Sequence, residues 1–192
     1  MAIEISPVSI KYCSICGTKL SAQANSVGTI NGDYTCNKCN AVYRNTPKII
    51  VLNLIEYQGK VLLCKRAIKP KQGCWTLPGG YMENNETVEN AAIREAKEET
   101  GVAVDKVELY CLFNCPIINQ VYFVYRSRAK NDDAFSTEES LESKYFAECD
   151  VPWDELSYQL MRQVLDHYFH DKMENRFRFR TFDSYEKCPE IE

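Results

Sequence analysis

A mixed α/β fold preceded by a small cysteine-bearing module is predicted by three features. These are branched apolar runs of strand length, a glutamate-rich stretch of helical period, and two tight cysteine pairs near the start. The chain has 192 residues, which suits one ordinary domain with a small appendage. With 45% hydrophobic and 26% charged residues it can build a packed core. A net charge of −4 argues against a general nucleic-acid binder, whose footprint is a basic excess. No apolar run reaches membrane-spanning length; the longest, Ile49 to Ile55, contains Asn53. Met1 to Ile10 carries neither a basic flank nor a long apolar region, so a secretory leader is not expected.

Residues 1–45 form the first expected region, 46–171 the second and 172–192 a C-terminal tail. In the first, Cys13-Ser14-Ile15-Cys16 and Cys36-Asn37-Lys38-Cys39 flank a spacer within the range of a four-cysteine zinc ribbon. Asn31-Gly32 suggests a hairpin that brings the pairs together. Four thiolates around Zn²⁺ make a closed tetrahedral site with no position for substrate, hence a structural or dimer-forming role. The other six cysteines (Cys64, Cys74, Cys111, Cys115, Cys149 and Cys188) are scattered and expected to be reduced, implying an intracellular, cytoplasmic setting.

In the second region, Ile49 to Ile55 reads as a buried strand, Gln58-Gly59-Lys60 as a turn, and Val61 to Arg66 as the returning strand of an antiparallel hairpin. A loop rich in turn formers, Lys69 to Gly80, leads to a helix from Thr87 to Thr100 that Gly101 ends. Val102 to Phe113, Gln120 to Arg128 and Tyr145 to Ala147 read as further strands, and Trp153 to Phe169 has the period of a helix packed over the sheet. Arg176 to Arg180 alternates basic and aromatic residues, a pattern that suits a strand edge or nucleic acid, with a docking tail as the simpler reading. His167 and His170 have no third ligand beside them and read as a helix end.

The chemistry concentrates in the Thr87–Thr100 helix. Glu95, Glu98 and Glu99 stand at i, i+3 and i+4, so they share one side, where like charges repel. Hard divalent cations prefer carboxylate oxygens and would turn that repulsion into a binding site. Arg94 can steady Glu98 from four residues away. Before the helix, Leu77-Pro78-Gly79-Gly80 allows close backbone approach to a metal or phosphate.

The run from Gly80 through Glu86 to Arg94-Glu95-Ala96-Lys97-Glu98-Glu99-Thr100-Gly101-Val102 resembles the full Nudix signature, with no position missing. The resemblance implies an α/β/α sandwich with a mixed sheet. It also implies that Glu95 and Glu99 bind Mg²⁺ or Mn²⁺, that Glu98 contributes to a second ion, and that the Gly79 carbonyl is a further ligand. Glu86 and Arg94 would orient the cluster, and Glu98, Glu99, Arg94 and Glu139 would be catalytic. Glu139 is the expected carboxylate from a loop beyond the signature, with Glu142 next.

A zinc ribbon ahead of such a core is similar to two branches. NADH pyrophosphatases carry a Ser-Gln-Pro-Trp-Pro-Phe-Pro motif, which Cys111 to Gln120 lacks. The ADP-ribose and FAD pyrophosphatases are more alike, through the cysteine pairs, Tyr43 to Lys48, and Glu139 to Glu142. The expected reaction is therefore hydrolysis of a nucleotide diphosphate, ADP-ribose or FAD, with NADH hydrolysis or non-hydrolytic nucleotide or RNA binding as alternatives. Tyr43, Trp75, Tyr81 and Phe113 are the aromatics open for stacking adenine, and Arg44, Lys48 and Arg66 the basic residues open for phosphate.

Overall fold

The computed structural model describes residues 11–20, 34–44 and 46–185. The chain divides into two compact units, Met1–Pro47 and Lys48–Glu192. In the first, strands β1 (Tyr34–Thr35) and β2 (Val42–Tyr43) pair antiparallel. The expected Asn31-Gly32 hairpin, the Met1 to Ile10 segment and Cys188 lie outside the described residues.

The second unit is built on strands β3 (Lys48–Tyr57), β4 (Lys60–Arg66), β5 (Trp75–Thr76), β6 (Val107–Cys115), β7 (Gln120–Arg128), β8 (Ser140–Phe146) and β9 (Arg180–Asp183), with helices α1 (Val88–Thr100) and α2 (Gln159–Met173). The sheet runs β5-β4-β3-β7-β6-β9, with β8 also on β4. It is mixed: β3/β7 and β6/β9 are parallel, whereas β3/β4, β6/β7 and β4/β8 are antiparallel. Gln58 (φ 47°) and Gly59 (φ 76°) both adopt left-handed backbone, as a tight hairpin turn requires.

The side chains of β3 alternate between two faces. Val51 and Ile55 pack with Ala91, Ala92 and Ala96 of α1, while Leu52 and Leu54 pack with Leu160, Val164 and Leu165 of α2. The layers are therefore helix, sheet, helix. Asn53, fully buried inside the apolar run, donates to the Ala92 carbonyl at 3.3 Å and accepts from Ser127 Oγ at 2.7 Å, which pins α1 to the sheet. Among the described residues, no helix is long and apolar enough to cross a membrane.

Several elements differ from the sequence expectation: β3 is longer at both ends, β6 runs on to Cys115, and the short strand β5 lies inside the expected loop. Val102 and Val104 are buried, but the strand begins at Val107, because their burial comes from packing under α1 rather than from a ladder. β8 begins at Ser140 rather than Tyr145 and takes its register from β4, its polar residues lying on a solvated edge. α2 runs Gln159–Met173 instead of from Trp153; Trp153–Glu155 is a 3₁₀ turn whose indole still packs edge-on against Phe169. Arg180–Asp183 is an edge strand and not merely a docking tail, held because Arg180 forms two bonds to the fully buried Asp171, the Nη1 bond at 2.6 Å.

Candidate active site

Beyond the hairpin tip, where Glu56 faces Val61 and Tyr57 faces Lys60, the glycine loop lies along β3. Asn53 N donates to Pro78 O at 2.8 Å, Val51 N to Gly80 O at 2.9 Å, and Met82 N to Ile49 O at 3.1 Å. This alternation turns the peptide groups of Gly79 the other way, and its N–H donates to Glu99 Oε2 at 2.8 Å. Gly79 holds φ 151°, and a Cβ there would stand 2.0 Å from the Val51 carbonyl oxygen. Only glycine fits. Helix α1 starts at Thr87, whose side chain accepts from Asn90 N, and ends on left-handed Gly101.

Arg94 gathers the acidic groups. Its guanidinium donates to both oxygens of Glu86 (3.1 and 2.8 Å), to Glu95 Oε1 (2.8 Å), to Glu98 Oε2 (2.9 Å) and to the Tyr81 carbonyl (3.2 Å). The expected Arg94–Glu98 pair is present, and it is one arm of a larger fork. That fork raises the Arg94 pKa and lowers that of Glu86. Burial pushes the Glu99 carboxyl up to about 8 against the pull of the Gly79 N–H, and the charges of Glu95 and Glu139 add to the rise. Burial also raises Glu95; Arg94 opposes it, and Glu98 and Glu139 reinforce it.

These groups open onto a pocket of about 730 Å³, lined by Gly79, Gly80, Arg94, Glu95, Glu98 and Glu99 from this loop and helix and by Arg66, Glu138 and Glu139 from facing segments. The donor set fits hard divalent cations: several carboxylates crowd together, and burial, reinforced by their mutual charge, holds two of them above the usual carboxylate range. Glu98 is the most exposed of the three, with 60% of its side-chain surface accessible.

Of the expected phosphate contacts, Arg66 lines the pocket and donates to the Pro70 carbonyl. Lys48 sits over the Tyr81 ring, 5.2 Å from its centroid, and Arg44 falls in the first unit. Glu139 reaches the pocket, whereas Glu142 pairs opposite Lys65 on β8. Sequence reasoning missed Glu83 and Glu138 as lining residues. Glu83 N donates to Glu86 Oε1 at 2.6 Å, and its place three residues before Glu86 was the available signal.

In the first unit, Cys13, Cys16, Cys36 and Cys39 bring their sulfurs within 4.8 Å of one another, and the described cysteines form no disulfides. Each pair makes the same turn. Gly17 N donates to Cys13 O and Asn40 N to Cys36 O, with both Gly17 and Asn40 left-handed. The Tyr43 hydroxyl, itself held by Ser14 N at 2.8 Å, donates to Cys13 Sγ at 3.1 Å and draws that thiol down to about 6. The cluster is compatible with a zinc ribbon.

A family model of the NUDIX domain matches residues 44–171. The chain is 44% identical over 70 residues to an ADP-ribose pyrophosphatase of Methanocaldococcus jannaschii, which is 36% of this chain and 41% of that protein. It is 24% identical over 161 residues to a NAD-capped RNA hydrolase NudC of Pseudomonas aeruginosa, which is 82% of this chain and 55% of that protein. The chain thus spans less than two thirds of either curated relative. Among solved structures, a NUDIX hydrolase from Nitrosomonas europaea is similar at a TM-score of 0.83 and 37% identity, over 91% of this chain and 100% of that one.

Proposed function

The chain belongs to the Nudix family, and from that premise we infer that it is a hydrolase of the diphosphate in a nucleoside-diphosphate derivative. ADP-ribose or FAD is the proposed substrate, giving AMP plus ribose 5-phosphate or FMN. The observation that carries the reading is the clamp of Gly79 N–H on Glu99, with Glu95 beside it and Glu139 on the same pocket wall.

Mg²⁺ or Mn²⁺ held by Glu95, Glu99 and the Gly79 carbonyl, with Glu98 toward a second ion, would offset phosphate charge and acidify a water. Arg94 orients Glu95 and Glu98, and Glu86 fixes Arg94. Glu95 is buried and Glu99 half-buried, which limits how far bulk water screens their charge. Arg66 supplies positive charge on the pocket wall for a substrate phosphate. Glu139, exposed and on the same wall, accepts the proton of the water that adds to phosphorus as the anhydride oxygen leaves. The four cysteines would hold a structural Zn²⁺ in a module that stabilises the chain or pairs two copies.

Similarity to a relative named NAD-capped RNA hydrolase supports a second reading, with NADH-like substrates. The absence of the NADH-pyrophosphatase motif in Cys111 to Gln120 weighs against it. Both are tested by incubating purified protein with ADP-ribose, FAD, NADH and diadenosine polyphosphates in Mg²⁺ or Mn²⁺ and following AMP release. Preferred turnover of ADP-ribose or FAD is expected; no hydrolysis of any member rejects the enzyme reading.

A further inference from the structure

Four aromatics are open on sequence grounds for stacking a nucleobase, and the structure accounts for three of them elsewhere. The Tyr43 hydroxyl is committed to Cys13 in the first unit. Trp75 is 5% exposed and meets Phe146 edge-on at 4.9 Å. Phe113 is fully buried and stacks on Phe182 at 4.7 Å. Tyr81, 45% exposed, is the one aromatic on the pocket wall among the described residues.

Its placement is fixed from several directions. The backbone of Tyr81 bridges to Ile50, and its carbonyl accepts from Arg94 Nη2 at 3.2 Å, so the segment that carries the ring is tied to the residue that organises the glutamates. The phenol oxygen accepts from Gln120 Nε2 at 3.3 Å, and Gln120 Oε1 in turn accepts from the Tyr122 hydroxyl at 2.7 Å. Lys48 Nζ lies 5.2 Å from the ring centroid. A ring already held in this way loses little conformational freedom when a second ring stacks on it.

We propose that Tyr81 is the platform on which the substrate's nucleobase stacks, making it a specificity-determining residue of the pocket. The inference rests on the nucleotide-hydrolase reading above. Its test is a calorimetric titration of full-length protein in Mg²⁺ with AMP, which carries a base, and with ribose 5-phosphate, which does not. Tyr81→Leu keeps apolar bulk and removes the ring; Tyr81→Phe keeps the ring. Tyr81→Leu is expected to weaken AMP binding about tenfold, in line with base–aromatic stacking, while Tyr81→Phe stays close to wild type. Ribose 5-phosphate should bind all three proteins alike. In turnover, Tyr81→Leu should raise KM for ADP-ribose and leave kcat in place.

The proposal is overturned if Tyr81→Leu binds AMP as wild type does, if it loses both ligands equally, or if wild type binds AMP no better than ribose 5-phosphate. The same holds if Ile68→Ala, at the other large exposed apolar residue on the wall, gives the loss that Tyr81→Leu does not. Because these titrations need no turnover, failure of the hydrolysis panel and failure of stacking are read separately.

Discussion

Replacing Gly79 with alanine separates the positional argument from a merely permissive role for the glycine loop. The added Cβ would lie 2.0 Å from the Val51 carbonyl oxygen and 2.8 Å from Leu52 Cα, both backbone atoms of the central strand. To regain ordinary contact the loop must retreat by about 1 Å or more. That retreat strains the bonds from Val51 N to Gly80 O and from Asn53 N to Pro78 O, whose donors belong to fully buried residues. An unsatisfied buried amide costs roughly 1–3 kcal/mol, and the φ of 151° adds roughly 1–3 kcal/mol for a residue with a side chain. With partial relaxation, about 4 kcal/mol is expected, a large share of a typical domain's stability. Gly80→Ala provides the contrast. Its Cβ would meet Glu95 Oε1 at 2.6 Å, the movable end of a side chain. Gly80→Ala should therefore stay within about 1 kcal/mol of wild type yet lose turnover as Glu95 is displaced. Urea denaturation and AMP release on both variants decide the matter. Equal stability of Gly79→Ala and Gly80→Ala would refute the reasoning.

Three further outcomes are expected. Asp171 is held well below the usual carboxylate range, first by Arg180, against burial, and further by Arg178 N and Tyr110. Its stabilisation is present above the unfolded carboxylate value and is lost as pH falls toward the depressed folded value. Asp171→Asn should thus cost roughly 3 kcal/mol at pH 7 and progressively less as pH falls below the unfolded carboxylate value, as read from urea midpoints. Tyr43→Phe removes the hydroxyl donor to Cys13 and should weaken Zn²⁺ about tenfold or more in competition with a chromophoric chelator, without altering the fold of the second unit. Arg94→Lys replaces a fork that serves Glu86, Glu95 and Glu98 with a point charge. It should cut turnover by about tenfold or more while changing the urea midpoint little.

The parts legible in the sequence are those governed by local rules. Glu95, Glu98 and Glu99 announce themselves by helical spacing, the cysteine pairs by their short intervals, and β3 and β4 by branched runs around a left-handed turn. What escaped depends on partners distant in the chain. Ser140 to Lys144 reads as charged loop until β4 supplies a ladder, and Arg180–Asp183 becomes a strand because Asp171 and β6 hold it. Asn53, which looks like an interruption in an apolar run, is the residue that docks α1 on the sheet. At the site, the spacing implied Arg94–Glu98, but the links to Glu86, Glu95 and the Tyr81 carbonyl required the loop to fold back on β3. Choosing among the stacking aromatics likewise required burial, which composition does not carry.

The central claim is that the glutamates of α1 exist to hold a divalent cation against a diphosphate. Manganese binding, followed by electron paramagnetic resonance on metal-stripped wild-type and Glu99→Gln proteins, tests it most directly. The account predicts that Glu99→Gln keeps its circular dichroism spectrum but loses both high-affinity Mn²⁺ and hydrolysis. Wild-type levels of bound manganese and of turnover in that variant would contradict it.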